Sequence, residues 1–265
     1  MKRFHALEFE DLENFPSWLR TCMTNLIVVL ARKLQVPEVL GAKIAEVLAE
    51  QQLDQVVDLG SGGGGSMPDI LAELRAKPEF AEARLVMTDR YPNAHALERF
   101  NQADAPHLRY EREPVDATDL ASAPPGLKTM VNCFHHMRPE QAKAILASAQ
   151  RTRQPILIYE MGNNVPRWLW LLTMPLALPM IGLMTWFLTP MVRPLTGRQL
   201  LFTYLIPIIP FFYAWDGHAS SPRIYTLEDY DELTGSLDDA PDYAWERGPA
   251  PNRTGQGTYL LGRPV

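Results

Sequence analysis

Between residues 55 and 160 the chain switches its hydrophobic period repeatedly, and that alternation limits the fold more than any other feature. Five short apolar or β-rich runs lie at 55–59 (QVVDL), 84–89 (RLVMTD), 108–113, 129–134 (TMVNCF) and 155–160 (PILIYE). Between them, at 67–75, 94–101 and 139–150, apolar residues return at three- and four-residue steps, as on a helix. Strands that alternate with helices pair in parallel, and their right-handed crossovers cover both faces of the sheet. The expected fold class is therefore α/β, a doubly wound, Rossmann-like, mostly parallel sheet. A Thr-capped helix after Thr226 and two β-rich runs at 243–247 and 258–261 bring the strand count to seven.

Ahead of the sheet, 16–34 and 37–51 read as helices. Trp18, Leu19, Cys22, Leu26 and Val29 recur at helical spacing, and Pro16 and Pro37 suit first turns. The expected organisation is an N-terminal helical layer at 1–53, a sheet domain at 54–162 and 224–265, and an apolar helical insert at 163–223. With 265 residues, 46% of them apolar and 21% charged, the chain can bury a large core and is not disordered. A net charge of −6 without a clustered basic surface argues against nucleic-acid partners. Cys22 and Cys133 are too few and too far apart for a disulfide framework or a zinc site, so no metal is expected and the thiols should be reduced. Acids at Glu8, Glu10, Asp11 and Glu13 do not resemble a secretory leader, which favours the cytoplasm.

The most informative local segment is VDLGSGGGGS at 57–66, where the first strand gives way to a helix. Glycines there let the backbone turn sharply and approach a ligand without an intervening Cβ. Gly60, Gly62 and Gly65 satisfy G-x-G-x-x-G, so a nicotinamide or flavin dinucleotide site is one reading. Asp58, two residues before the first glycine, favours another, because dinucleotide folds usually place an apolar residue there.

The D-L-G-x-G segment resembles the signature of class I S-adenosylmethionine-dependent methyltransferases. Asp89 at the end of the second strand, Asp116 in PVDATD after the third and NCFHHM at 132–137 after the fourth continue the resemblance in order. It implies S-adenosylmethionine as cofactor, held by Asp58, Gly60, Ser61, Gly62, Gly64, Asp89, Arg90, Asp116, Ala117 and Asn132. In that family the second-strand acid meets the ribose hydroxyls and the third-strand acid the adenine amino group. The terminal order of helix then two strands is similar to the family's antiparallel end hairpin. More loosely, FEDL at 9–12, FPSWLR at 15–20, YLIPIIP at 204–210, WDG at 215–217 and Arg223 with Tyr225 resemble a bacterial branch of these enzymes.

Methyl transfer from a sulfonium is an in-line displacement, so the protein mainly positions the partners and excludes water. A base is needed only when the acceptor has a proton to lose. His135 and His136 stand where ligands of open α/β sheets bind, and histidine titrates in the useful range. In extended backbone neighbouring side chains point oppositely, so one of the two is expected to face the crevice, or both simply brace the loop. Glu160 ends the fifth strand and either orients an acceptor or pairs with Arg167. Asp216 and His218, delivered by an apolar segment, either line an acceptor pocket or, for Asp216, cap a helix.

Residues 168–192 and 199–215 contain no charged side chain. Their length would suffice for membrane spans. Both ends of the insert must return to one sheet, however, and a two-span hairpin would place Arg193 and Arg198 on the far side, against the positive-inside bias. Prolines at 175, 179, 190, 207 and 210, with terminal aromatics, suit an interfacial or re-entrant seat on the inner face of a membrane. The competing reading is a soluble lid over the acceptor pocket or a dimer face. Either way the expected activity is methyl transfer to a small, lipophilic acceptor, at oxygen. The alternatives are a nicotinamide-dependent oxidoreductase and a membrane-docking protein with a vestigial cofactor fold.

Overall fold

The computed structural model describes residues 1, 3–101 and 105–265. Its centre is a seven-stranded sheet built from β1 (Gln55–Leu59), β2 (Arg84–Thr88), β3 (Leu108–Tyr110), β4 (Leu127–Val131), β5 (Ile156–Glu160), β6 (Tyr243–Pro249) and β7 (Thr258–Pro264), in the order β3-β2-β1-β4-β5-β7-β6. The first five strands run parallel, and β7 lies antiparallel between β5 and β6. The strand order reverses between β1 and β4, which opens the crevice where ligands of such sheets bind. The antiparallel end hairpin also departs from the 3-2-1-4-5-6 order of dinucleotide folds, and so speaks against the oxidoreductase reading.

Both faces of the sheet are covered, as parallel strands require. Val56, Leu85, Met87 and Leu157 face Leu40, Ile44 and Leu48 of α2 (Val36–Glu50) and Ile70 and Leu74 of α3 (Met67–Arg75). Their neighbours Val57, Val86 and Ile158 point the other way, onto Ile145 and Leu146 of α5 (Pro139–Thr152) and Leu233 of α9 (Leu227–Gly235). Each such buried Leu or Ile contributes roughly 1.5–3 kcal/mol. On the β3 edge, α4 (Ala94–Asn101) buries Ala96 and Phe100.

Two strands end three residues earlier than expected. β3 ends at Tyr110. β4 stops at Val131 because Asn132 takes a left-handed φ of 53°, donating its N–H to the Tyr159 carbonyl and accepting from the Met161 N–H through Oδ1. Residues 134–136 consequently form a 3₁₀ turn instead of extending the strand.

The N-terminal layer divides. Whereas α2 packs on the sheet, α1 (Ser17–Lys33) turns Leu19, Met23, Leu26 and Val29 toward Leu188, Val192, Ile209 and Tyr213 of the insert. The insert comprises α6 (Arg167–Leu188), a short α7 (Gly197–Leu200) that runs into a π-helical turn at Leu201–Leu205, and α8 (Ile208–Ser220). At Pro207 the chain bends by 83°. α8 then returns beside α6, bringing His218 to Trp170, while Gly182 admits the backbone of Pro210.

Candidate active site

The glycine loop leaves β1 at the crevice and is latched from three sides. Asp58, buried in the strand end, accepts from Ser61 Oγ at 2.6 Å and from Thr129 Oγ1 on β4 at 2.9 Å. Burial pushes its carboxyl up to about 7, against the pull of those two hydroxyls. Asp89, just past β2, accepts the Gly62 N–H at 2.8 Å with one oxygen and the Tyr91 N–H at 2.8 Å with the other. Tyr110 at the end of β3 donates its hydroxyl to the Gly62 carbonyl at 2.9 Å. Gly64 has a φ of 98°, and a Cβ there would lie 2.6 Å from the Phe100 ring, so only glycine fits.

The cofactor candidates assemble along one edge of the sheet. Asp58 and Ser61 face inward and shape the loop, and Asn132 ties the ends of β4 and β5 together. Asp89 is half-buried, and beyond it Arg90 stands exposed 3.6 Å from the Asp116 carboxylate. Asp116 accepts from the backbone and hydroxyl of Thr118, which holds its carboxyl below the usual range, and Ala117 packs against the core beside it. α1 lies close over the loop, with Thr24 against Gly63. The cavity between them is only about 60 Å³, small beside the roughly 300–1,000 Å³ of ligand pockets. A cavity of about 400 Å³ lies at the opposite, amino ends of β1 to β3, lined by Gln55, Arg84, Arg109 and Gly126, away from the binding edge of such sheets.

His135 and His136 correct the expectation that neighbouring rings diverge. They belong to a 3₁₀ turn, not to extended backbone, and their centroids are 4.3 Å apart on the same side. Both meet carboxylates. Glu160 accepts the His135 N–H at 2.9 Å and pairs with its Nδ1 at 2.8 Å, so it orients the histidine and does not pair with Arg167, whose guanidinium lies over the Phe4 ring. His136 Nδ1 is 2.7 Å from Asp11. Burial alone would raise the Asp11 carboxyl, but the hydrogen bond and charge of His136 and the charge of Arg223 bring it well below the usual range.

Residues 3–12 form a strap across these histidines that sequence reasoning did not place. Arg3 donates to the carbonyls of His135 at 2.6 Å, Met137 at 3.0 Å and Arg223 at 2.7 Å, and lies over the Tyr225 ring. Glu8 is buried 4.0 Å from His135 Nε2, and burial raises its carboxyl despite His136 and Arg223. The fully buried Arg223 reaches Glu8 at 2.9 Å and Asp11 at 2.8 Å. Glu8, His135 and His136 have the donor set of a metal site, with ligand atoms within 4.8 Å of one another. The Arg223 guanidinium already supplies a cation to Glu8 and stands 3.4 Å from His136 Nδ1. The only sign of the strap in the sequence was the FEDL segment and the distant Arg223.

Asp216 and His218 do not join His135. Asp216 accepts the N–H groups of Phe9 and Glu10 at 2.8 and 3.0 Å, capping the strap's short turn and not its own helix. His218 stacks on Trp170 with centroids 5.2 Å apart and contacts its carbonyl through Nε2, while the Trp170 indole donates to the His218 carbonyl. Both residues fasten the insert.

No protein-family model matches the chain, and no curated protein does. Among solved structures, the plantazolicin methyltransferase BpumL, in complex with a monoazolic desmethylPZN analog and SAH, superposes with a TM-score of 0.52 at 10% identity, over 94% of this chain and 98% of that one. The same enzyme with SAH alone gives 0.52 at 11% identity and the same coverage. An O-methyltransferase family protein from Burkholderia thailandensis aligns at 0.48 and 12% identity, over 88% of this chain and 57% of that one. The likeness to BpumL is one of fold, and it extends along nearly the whole length of both chains.

Proposed function

We propose that the chain transfers a methyl group from S-adenosylmethionine to a hydroxyl of a small, lipophilic acceptor, in the cytoplasm and at the inner face of a membrane. The observation that carries this is the juxtaposition, at one sheet edge, of the latched glycine loop with a His135–Glu160 pair. The residues fit an adenosyl donor. The space beside Gly62 and Gly65 is open, Asp89 has carboxylate oxygens for ribose hydroxyls once it releases Gly62 and Tyr91, and Asp116 follows β3 where an adenine amino group would need an acceptor. BpumL, whose fold this chain shares, is in complex with SAH, the demethylated donor, and with a small-molecule analog.

When bound, the donor would supply an electrophilic methyl, its sulfonium sulfur keeping the S–C electron pair as a neutral thioether. Glu160 holds His135 Nδ1, so Nε2, which faces Glu8 beneath the strap, is the nitrogen that would take the proton of an acceptor hydroxyl admitted there as its oxygen attacks. The apolar insert and strap exclude water from that proton transfer. The exposed apolar surface of α6 and of the turn at 200–206 supports both the lipophilic acceptor and the membrane setting.

Calorimetry with S-adenosylhomocysteine should show binding that Asp89→Ala weakens at least tenfold. No binding, or binding indifferent to that change, overturns the donor assignment. A labelled-methyl assay against a lipid extract tests the rest: donor binding without any labelled product would leave only a docking role.

A further inference from the structure

The outward face of α6 is apolar from end to end. Trp168, Leu171, Leu172, Pro175, Leu176, Pro179, Met180, Leu183, Trp186 and Phe187 are exposed at helical spacing, with no polar side chain among them. Twenty residues at 1.5 Å each make this stripe about 30 Å long. Leu200, Leu201, Leu205, Ile206 and Phe211 extend it beyond the helix end. From 161 to 215 the only charged side chains are Arg167, Arg193 and Arg198, all exposed, with no carboxylate.

Both ends of α6 are fastened to the body of the protein. Trp170 packs with Phe4, Ala6 and Ala219 under the strap, and Leu188 and Val192 pack on α1. Driving α6 across a bilayer would pull α1, with Arg20, Asn25 and Arg32, into hydrocarbon. The helix can therefore only lie flat.

We infer that this face seats the protein on an anionic bilayer, α6 lying parallel to the surface with its outer stripe in the acyl boundary and Arg167, Arg193 and Arg198 among the headgroups. A second copy of the chain is the poorer occupant. Protein interfaces carry about one hydrogen bond per 100–200 Å², and along this stripe only the indoles of Trp168 and Trp186 have a donor to offer. Hydrocarbon asks for none. The tryptophans near both ends of α6 and the unopposed arginines match the interfacial and headgroup layers. The flat seat buries the stripe by roughly 5–10 Å. The inference deepens the proposed function by naming the surface from which the acceptor would be drawn.

The test is flotation of the full-length protein, without donor, on vesicles of phosphatidylcholine alone or mixed with phosphatidylglycerol. The expected result is binding to the anionic vesicles, weakened by salt. The exposed double change Arg193→Gln with Arg198→Gln should lower partitioning by about 30-fold, at about 5-fold per headgroup charge. Leu176→Gln with Phe187→Gln should abolish it while the circular dichroism spectrum stays unchanged. Equal binding to neutral vesicles that ignores the arginines, or a stable dimer that ignores all vesicles, overturns the inference. Because no donor is present, failure here is separable from failure of donor binding in calorimetry.

Discussion

Asp58 is a motif residue whose work is internal. Its carboxyl is spent on Ser61 and Thr129, and burial has lifted it to about 7. The folded chain thus holds this proton more tightly than the unfolded chain does. The stabilisation is complete below about pH 4 and disappears as the pH rises toward 7. Asp58→Asn should flatten the dependence of Tm on pH in that window, and an unchanged slope would refute the assignment. His135 carries a different expectation. Its replacement by Gln should lower kcat by on the order of 10²–10⁴ with donor affinity unchanged, and Glu160→Gln should lower it less while shifting the pH–rate profile. A kcat within threefold of the parent for both variants would remove them from the mechanism. Asp58 and the glycines were legible in the sequence because strand, turn and helix are consecutive there. The outcome at His135 and His136 was not, because one left-handed residue, Asn132, turned an expected strand end into a 3₁₀ turn.

At the scale of elements, the glycine loop and the strap behave oppositely. The loop is set by local geometry. Gly64→Ala meets both a disfavoured φ and the Phe100 ring, and should destabilise the fold by about 1–3 kcal/mol and impair donor binding; thermal unfolding and calorimetry read both. The strap depends on partners far along the chain. Arg3→Ala removes donors to three carbonyls, at His135, Met137 and Arg223. Amide exchange at 134–137 should rise by an order of magnitude or more, while exchange in β1 and β2 stays as it was. Exchange unchanged at 134–137 would mean that the strap does not hold the turn.

For the whole molecule, donor binding should appear as stability. S-adenosylhomocysteine at 100 times its Kd adds about 2.7 kcal/mol. In a chain of this size that raises Tm by about 5–10 °C. NADH should give no shift, since the end hairpin is not that of a dinucleotide fold. A shift with NADH and none with S-adenosylhomocysteine would reverse the reading of the sheet.

The sequence by itself determined the alternating sheet, the glycine loop at its edge and the uncharged insert. Period, turn chemistry and absence of charge are local properties, written in residues a few positions apart. Tertiary structure alone decided that residues 3–12 cover His135, that Asp216 and His218 fasten elements instead of lining a pocket, and that both ends of α6 are tied to the body of the protein. Those outcomes rest on contacts between groups such as Arg3 and Arg223, or Phe9 and Asp216, more than two hundred residues apart. A carboxylate or guanidinium has no periodicity that names its partner, so only the folded chain could pair them.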